Sequence, residues 1–377
     1  MYNYLAVIIL VLLLCSACTP SHQEAGVSDT LRRQTVYPTQ QVVEPAIVTE
    51  PVMFDTDDPA IWVNPADPSQ SLIIGTDKDE NGGLYAFDLQ GKIIKEKTQS
   101  LKRPDNVDIE YGVNIGGRSY DIAVTTERLT HKLRIYSVPY MKPLDNGGIE
   151  VFTGETGDMF RDLMGIALYK NASGDIYAIV GRKNGPDGTY LWQYKLEDNG
   201  HGAVKATLVR KFGKYSGKKE IEAIAVDDKP GYVYYSDEGV GVRKYYADPA
   251  KGNEELALFG TSGFTQDHEG ISIYQVSDST GYILVSDQGA NQFFVFSREG
   301  FEGNPHDHRL VKIIKVAAQE SDGSDVTSVS LNDTFRNGLF VVMSTDKTFH
   351  YYRWEDIAGD DLNTAANKNQ TTTAYGK

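Results

Sequence analysis

A strand pattern returns six times along this chain, with a long period. Three sets of short alternating segments recur in fixed order, separated by Gly, Asp and Asn turns. The first set is PAIWV, VDIEY, MGIAL, EAIAV, EGISI and TSVSL, centred on Ile61, Ile109, Ile166, Ile224, Ile271 and Val329 at intervals of 48, 57, 58, 47 and 58 residues. A second set follows each of these: SLIIGTD, YDIAVTTE, IYAIVGRK, YVYYSDE, YILVSDQ and LFVVMSTD. The third set is aromatic and aligns on Phe87, Tyr136, Tyr194, Tyr245, Phe296 and Tyr352. A small antiparallel sheet that is apolar on both faces cannot bury them alone, whereas radial stacking against two neighbours can. The pattern predicts an all-β, six-bladed β-propeller with room for a fourth strand per blade. The segment 42–52 is available as an outer strand closing the ring on the last blade. A β-sandwich is the competing architecture, and it leaves six near-equal periods unexplained.

The flanks of the repeat divide the chain further. Residues 4–14, YLAVIILVLLL, are too short for a membrane span but suit the apolar core of a signal peptide. They lead into Cys15-Ser16-Ala17-Cys18, which resembles a lipoprotein signal cleaved before Cys18, although Cys15 stands where Leu is usual and residues 1–4 carry no Lys or Arg. An ordinary secretory leader is the alternative. The sequence therefore implies a signal peptide at 1–17, a flexible tether at 18–44, the propeller at 45–360 and a polar tail at 361–377. It further implies a cell-envelope protein lipid-anchored through Cys18, or a secreted one, acting as a monomer. Both cysteines lie at the leader, so the rest of the chain has no thiol nucleophile, thiolate metal site or internal disulfide.

With 37 Lys and Arg against 52 Asp and Glu, the net charge of −15 opposes binding to nucleic acid and to anionic membranes. In a propeller whose first-set strand is innermost, the start of that strand and the end of its antiparallel partner lie at the same mouth of the central channel. Acids precede the inner strands: Asp57 and Asp58, Asp108, Glu222, Asp267 and Glu269, then Asp322 and Asp325. The third blade differs, with Leu163-Met164 in that place. After the second strands come Asp77-Lys78, Glu127-Arg128, Arg182-Lys183, Asp237-Glu238, Asp287-Gln288 and Asp346-Lys347. Any one Asp in such a place is ordinarily a turn-former bonding its own backbone. Acids at one register in five blades are not explained that way. Carboxylates, an amide and carbonyls are hard oxygen donors, and no Cys or His cluster accompanies them, which favours Ca²⁺ over zinc or copper. Lys78, Arg128, Arg182 and Lys183 at the same mouth offer charges suited to phosphate oxygens. Asp77 to Gly82 also matches half of an EF-hand loop, but no helix flanks it and Asn81-Gly82 signals a hairpin turn.

Several of these segments resemble the β-propeller phytases. They are Glu50-Pro51-Val52, Asp57-Asp58-Pro59-Ala60-Ile61-Trp62-Val63, Asn106-Val107-Asp108-Ile109, Glu222-Ala223-Ile224-Ala225-Val226-Asp227-Asp228, Asp267-His268-Glu269-Gly270-Ile271, Ser286-Asp287-Gln288-Gly289-Ala290-Asn291, 321–328 and Trp354-Glu355-Asp356-Ile357-Ala358. The resemblance covers about residues 45–360 in order. It implies a calcium-dependent phosphomonoesterase that hydrolyses inositol hexakisphosphate (phytate) with several Ca²⁺ ions, a metal-activated water and a second phosphate site. Carried over residue by residue, it implies calcium ligands at Glu50, Asp57, Asp58, Glu222, Asp267, Glu269, Gln288 and Asp322. Lys78, Arg128 and Lys183 would bind phosphate, and Glu238 would be an acid beside the cleaved ester. The family commonly has Tyr where this chain has Met164, which cannot donate a hydrogen bond. Affinity at the cleavage site is altered there, or a water substitutes for the hydroxyl. Two other readings compete: a calcium-dependent propeller lactonase or arylesterase, which has no need of the basic residues, and a non-catalytic envelope propeller that binds polyanions or proteins.

Overall fold

Pairing of the recurring segments gives six antiparallel sheets in the structure, a computed structural model that describes residues 41–365. The inner strands, from first blade to sixth, are Thr56–Trp62, Pro104–Ile115, Leu163–Lys170, Ile224–Asp227, His268–Gln275 and Ser324–Thr327. Each pairs with a second strand, ending at Asp77, Glu127, Arg182, Asp237, Asp287 and Ser344 in turn, and that strand pairs with the aromatic third. Fourth strands such as Val204–Phe212 and Leu310–Lys315 complete the blades. The sixth blade borrows its outer strand from the other end of the described chain: Ile47–Val48 pairs with Thr348–Arg353, Ile47 opposite Tyr351. The six-bladed propeller and its closure by the early segment follow the sequence pattern. The leader, Cys18 and most of the tether and tail lie outside the described residues.

Burial explains why no blade stands alone. Six apolar clusters form the core, each drawing on two adjacent blades; one joins Ile122, Val124 and Ile135 of the second to Ile166, Val180 and Trp192 of the third. The aligned aromatics Phe87, Tyr136, Tyr194, Tyr245, Phe296 and Tyr352 are all buried. Full burial of such a side chain stabilises by roughly 1.5–3 kcal/mol. Each lies opposite the residue four before the end of its second strand, namely Ile73, Ala123, Ala178, Val233, Ile283 and Phe340.

The inner strands are less regular, and the irregularity builds the mouth. Thr56, Pro104, Leu163 and His268 pair with the last residues of their second strands, and pairing resumes at Pro59, Val107, Ile166 and Ile271. A β-bulge therefore sits at Asp57-Asp58, Asp105-Asn106, Met164-Gly165 and Glu269-Gly270. Such bulges re-aim the first residue and increase local twist. The same count along the ladder gives Glu222 in the fourth blade and Asp322 in the sixth. Asp57, Asp105, Met164, Glu222, Glu269 and Asp322 are thus equivalent residues.

This register corrects the sequence alignment. Ile61 and Ile109 stand two places beyond the residues equivalent to Ile166, and Val329 lies past the end of Ser324–Thr327. Glycine follows the bulged residue where neighbours crowd in. A Cβ on Gly165 would lie 1.6 Å from the carbonyl oxygen of Glu222 in the next blade. Backbone on both sides leaves nothing flexible to yield. Gly165→Ala is expected to cost at least about 3 kcal/mol of stability, read by urea unfolding; a change below about 1 kcal/mol would show that the blades can separate there.

Candidate active site

The last residue of each second strand points inward and is structural. Asp77 accepts the amides of Phe54 (3.2 Å) and Asp55 (2.7 Å), Glu127 that of Lys102 (2.9 Å), Asp237 that of Ser216 (3.1 Å) and Asp287 that of Thr265 (2.9 Å). Each holds the loop entering its own blade. Arg182 has the same register with the polarity reversed. Its Nε donates to the Tyr190 carbonyl at 3.1 Å, Nη2 to that of Thr189 at 3.1 Å, and Nη1 to Phe160 O and to Glu155. Four aromatic rings surround the guanidinium, and the side chain is fully buried. Arg182 is therefore not a phosphate ligand: its donors are committed and no solvent reaches it.

One residue further, Lys78, Arg128, Lys183, Glu238, Gln288 and Thr345 form a second ring beside the bulged acids. The mouth holds a cavity of about 440 Å³ lined by Lys78, Lys219, Glu220, Glu222, Glu238, Asp267, Glu269, Gln288 and Asp322. That volume suits a small-molecule site, although the lining is far more polar than most. Three acidic groups have oxygens within 4.8 Å of one another: Asp57, Asp105 and Glu222; Glu220, Glu222 and Glu238; and Glu238, Asp267 and Glu269. Lys78 Nζ lies against Asp57, 3.3 Å from Asp322 Oδ2 and 3.8 Å from Glu222 Oε1. Gln288 donates its amide to Asp322. Lys183 pairs with Glu220 at 3.0 Å, and Lys219 with Asp267. Arg128 donates to Asp105 Oδ1 at 2.7 Å and to the Leu163 carbonyl at 3.1 Å, and it also touches the Met164 thioether.

Charge and burial pull against each other at this mouth. Burial pushes the carboxyls of Asp105 and Glu269 well above the usual range and raises that of Asp322 to about 6. Glu238 rises to about 9, through burial first and then repulsion from Glu222, Glu220 and Asp267. Burial alone would lower the Lys78 ammonium, but Asp57, Glu222 and Asp322 outweigh it and hold it well above its ordinary value. Asp57 Oδ2, Asp105 Oδ2, Glu222 Oε1, Glu238 Oε1 and Glu269 Oε2 are buried without a hydrogen-bond partner. Buried oxygens of that kind are costly unless a cation meets them.

Four further candidate ligands are employed elsewhere. Asp108 accepts the amides of Ile109 (2.7 Å) and Leu168 (2.6 Å), Asp325 those of Val326 (2.7 Å) and Ile61 (2.7 Å), and Asp58 that of Val107 (3.0 Å). These three line the channel below the mouth, about 270 Å³ in volume, where each fastens its strand to the next blade. Glu50 accepts the amide of Ile93 at 2.9 Å and pairs with Lys92 at 3.1 Å, outside all three acidic groups. Asp79 Oδ1 caps the amide of Asn81, so the EF-hand-like segment is the expected turn. Asp105, Glu220 and Lys219 are mouth residues that the sequence reading missed. Asp105 was within reach, because Pro104-Asp105-Asn106 parallels Thr56-Asp57-Asp58; Glu220 and Lys219 lie in a loop with no repeating register.

Comparison with known proteins agrees with this architecture. A family model described as Phytase matches residues 3–364. The 3-phytase of Bacillus subtilis (strain 168) is 28% identical over 320 residues, which cover 80% of this chain and 80% of that protein.

Proposed function

The chain belongs to the phytase family, and on that footing we propose that its acidic mouth is a calcium site at which phytate is hydrolysed to lower inositol phosphates and phosphate. It is a phosphoric monoester hydrolase of the phytate-hydrolysing kind. The calcium dependence and the division of labour among residues are our reading. What supports them is the ring of equivalent acids, of which Asp57, Asp105, Glu222 and Glu269 each bury an oxygen without a hydrogen-bond donor, interleaved with Lys78 and Arg128. The donor set is entirely oxygen, as calcium requires. Asp57, Asp105, Glu220, Glu222, Asp267, Glu269, Gln288 and Asp322 would hold the ions. Bound there, calcium would supply charge neutralisation and a polarised water as nucleophile.

The chain's own residues do the rest. Lys78, Arg128 and Lys183 orient phosphate oxygens by charge-assisted hydrogen bonds. Glu238, whose carboxyl burial and the neighbouring acids push up in the metal-free mouth, sits beside the reacting ester as an acid for the leaving oxygen. Met164 occupies the one non-acidic place in the ring, so a substrate phosphate there meets a thioether and Arg128 rather than a second carboxylate. The leader-like segment 1–17, ending at Ser16-Ala17 before Cys18, supports export, with the protein held at the envelope through Cys18 or released.

The test is phosphate release from phytate by residues 19–377, with added calcium and with excess EDTA. Release with calcium and none with EDTA is expected. Full release in EDTA would overturn the calcium reading, and opening of a lactone without phosphate release would favour the lactonase.

A further inference from the structure

Lysines reach into all three acidic groups at the mouth. Lys78 meets Asp57 and Glu222, Lys183 meets Glu220, and Lys219 bonds both oxygens of Asp267 beside Glu238 and Glu269, while Asp105 is held by Arg128. Neither the repeat nor the family resemblance gives Lys219 a role. Its side chain is half exposed while that of Asp267 is 15% exposed, so the amine reaches in from solvent on a flexible stem. An ammonium that takes both oxygens of Asp267 competes with a divalent ion for the same lone pairs. When it leaves, it remains tethered at the rim of a cavity from which it no longer has a carboxylate partner.

From this geometry, and resting on the calcium reading above, we propose that Lys219 is an exchangeable counter-ion. It lowers the calcium affinity of the Glu238, Asp267 and Glu269 group and, once displaced, becomes a phosphate ligand of the mouth. Metal and phosphate binding are thereby coupled through one side chain, and the coupling is reciprocal. Charge alone does not assign this role, because the adjacent Lys218 donates only to the Gly239 carbonyl and touches no carboxylate of the group. Lys218 therefore provides the control for a general change in net charge.

Isothermal titration of the chelator-stripped protein with calcium tests the proposal without turnover. Lys219→Met should tighten one class of calcium sites by about 2–5-fold, the strength of a partly exposed ion pair, with stoichiometry unchanged. Lys218→Met should leave that class as in the unsubstituted chain. With calcium saturating, Lys219→Met should bind inorganic phosphate about 2–5-fold more weakly. Equal effects of the two substitutions, or weaker calcium binding in Lys219→Met, would overturn the counter-ion role while leaving the calcium site intact. An unsubstituted chain that takes up no calcium would instead overturn the metal reading, and this proposal with it.

Discussion

Glu222→Gln is expected to lower kcat/KM on phytate by about 10²–10³-fold, the range found when one preorganised charge-stabilising group is removed from an active site. Glu222 is shared by two of the three acidic groups, and its Oε1 is buried without a hydrogen-bond partner. The amide keeps the volume but replaces a lone-pair-bearing charge with a donor that repels a cation. The substitution should not unfold the protein. Burial already raises the Glu222 carboxyl, so removing its charge relieves the chelated fold rather than straining it. Asp325→Asn provides the contrast. Its oxygens accept the amides of Ile61 and Val326, and the loss of one acceptor should cost about 1–3 kcal/mol of stability with kcat/KM nearly unchanged. Steady-state kinetics with thermal melts on both variants separate the two effects. An Asp325→Asn enzyme as inactive as Glu222→Gln would refute the distinction between mouth and channel.

That distinction marks where sequence legibility ended. The third strands could be aligned to the residue, because a buried aromatic in an uninterrupted ladder keeps its phase from blade to blade. The inner strands could not. A bulge inserts a residue without altering composition, so hydrophobic alternation does not separate Asp108 of the channel from Asp105 of the mouth, and only the parallel with Thr56-Asp57-Asp58 does. Asp325 and Asp322 present the same ambiguity three residues apart. At the ends of the second strands the alternation of a β-strand was decisive and went unused. In Arg182-Lys183 the first residue faces the interior and the second the rim, as in Asp77-Lys78. Lys219 and Glu220 belong to a loop whose course depends on tertiary contacts, and no local signal marks them.

The chelated protein is expected to lose stability as pH rises from about 6 to 9, with Tm falling by about 5–15 °C. The folded carboxyls lie above their unfolded values: Glu238 at about 9, Glu110 at about 8, Asp108 and Asp228 at about 7, Asp322 and Asp325 at about 6, against 3.8 for Asp and 4.5 for Glu. Between its two values each group binds more protons when folded, so raising the pH withdraws stability. The loss is absent below about pH 4 and complete once Glu238 ionises. Lys244 acts in the opposite sense. Burial lowers its amine to about 7 from 10.5, so over that interval the unfolded chain holds more protons and stability rises with pH. One lysine against six carboxyls leaves the net slope downward. Of these groups Glu238 and Asp322 line the mouth, where a divalent ion replaces the missing protons, so added calcium should raise Tm most at pH 8–9 and little at pH 5.5. Glu238→Gln should flatten the slope in EDTA by removing its most alkaline contributor. Scanning calorimetry across that range, with EDTA and with calcium, is the measurement. A chelated protein whose Tm stays level or climbs toward pH 9 would mean that water reaches these carboxylates, and the cation requirement inferred from their burial would fall with it.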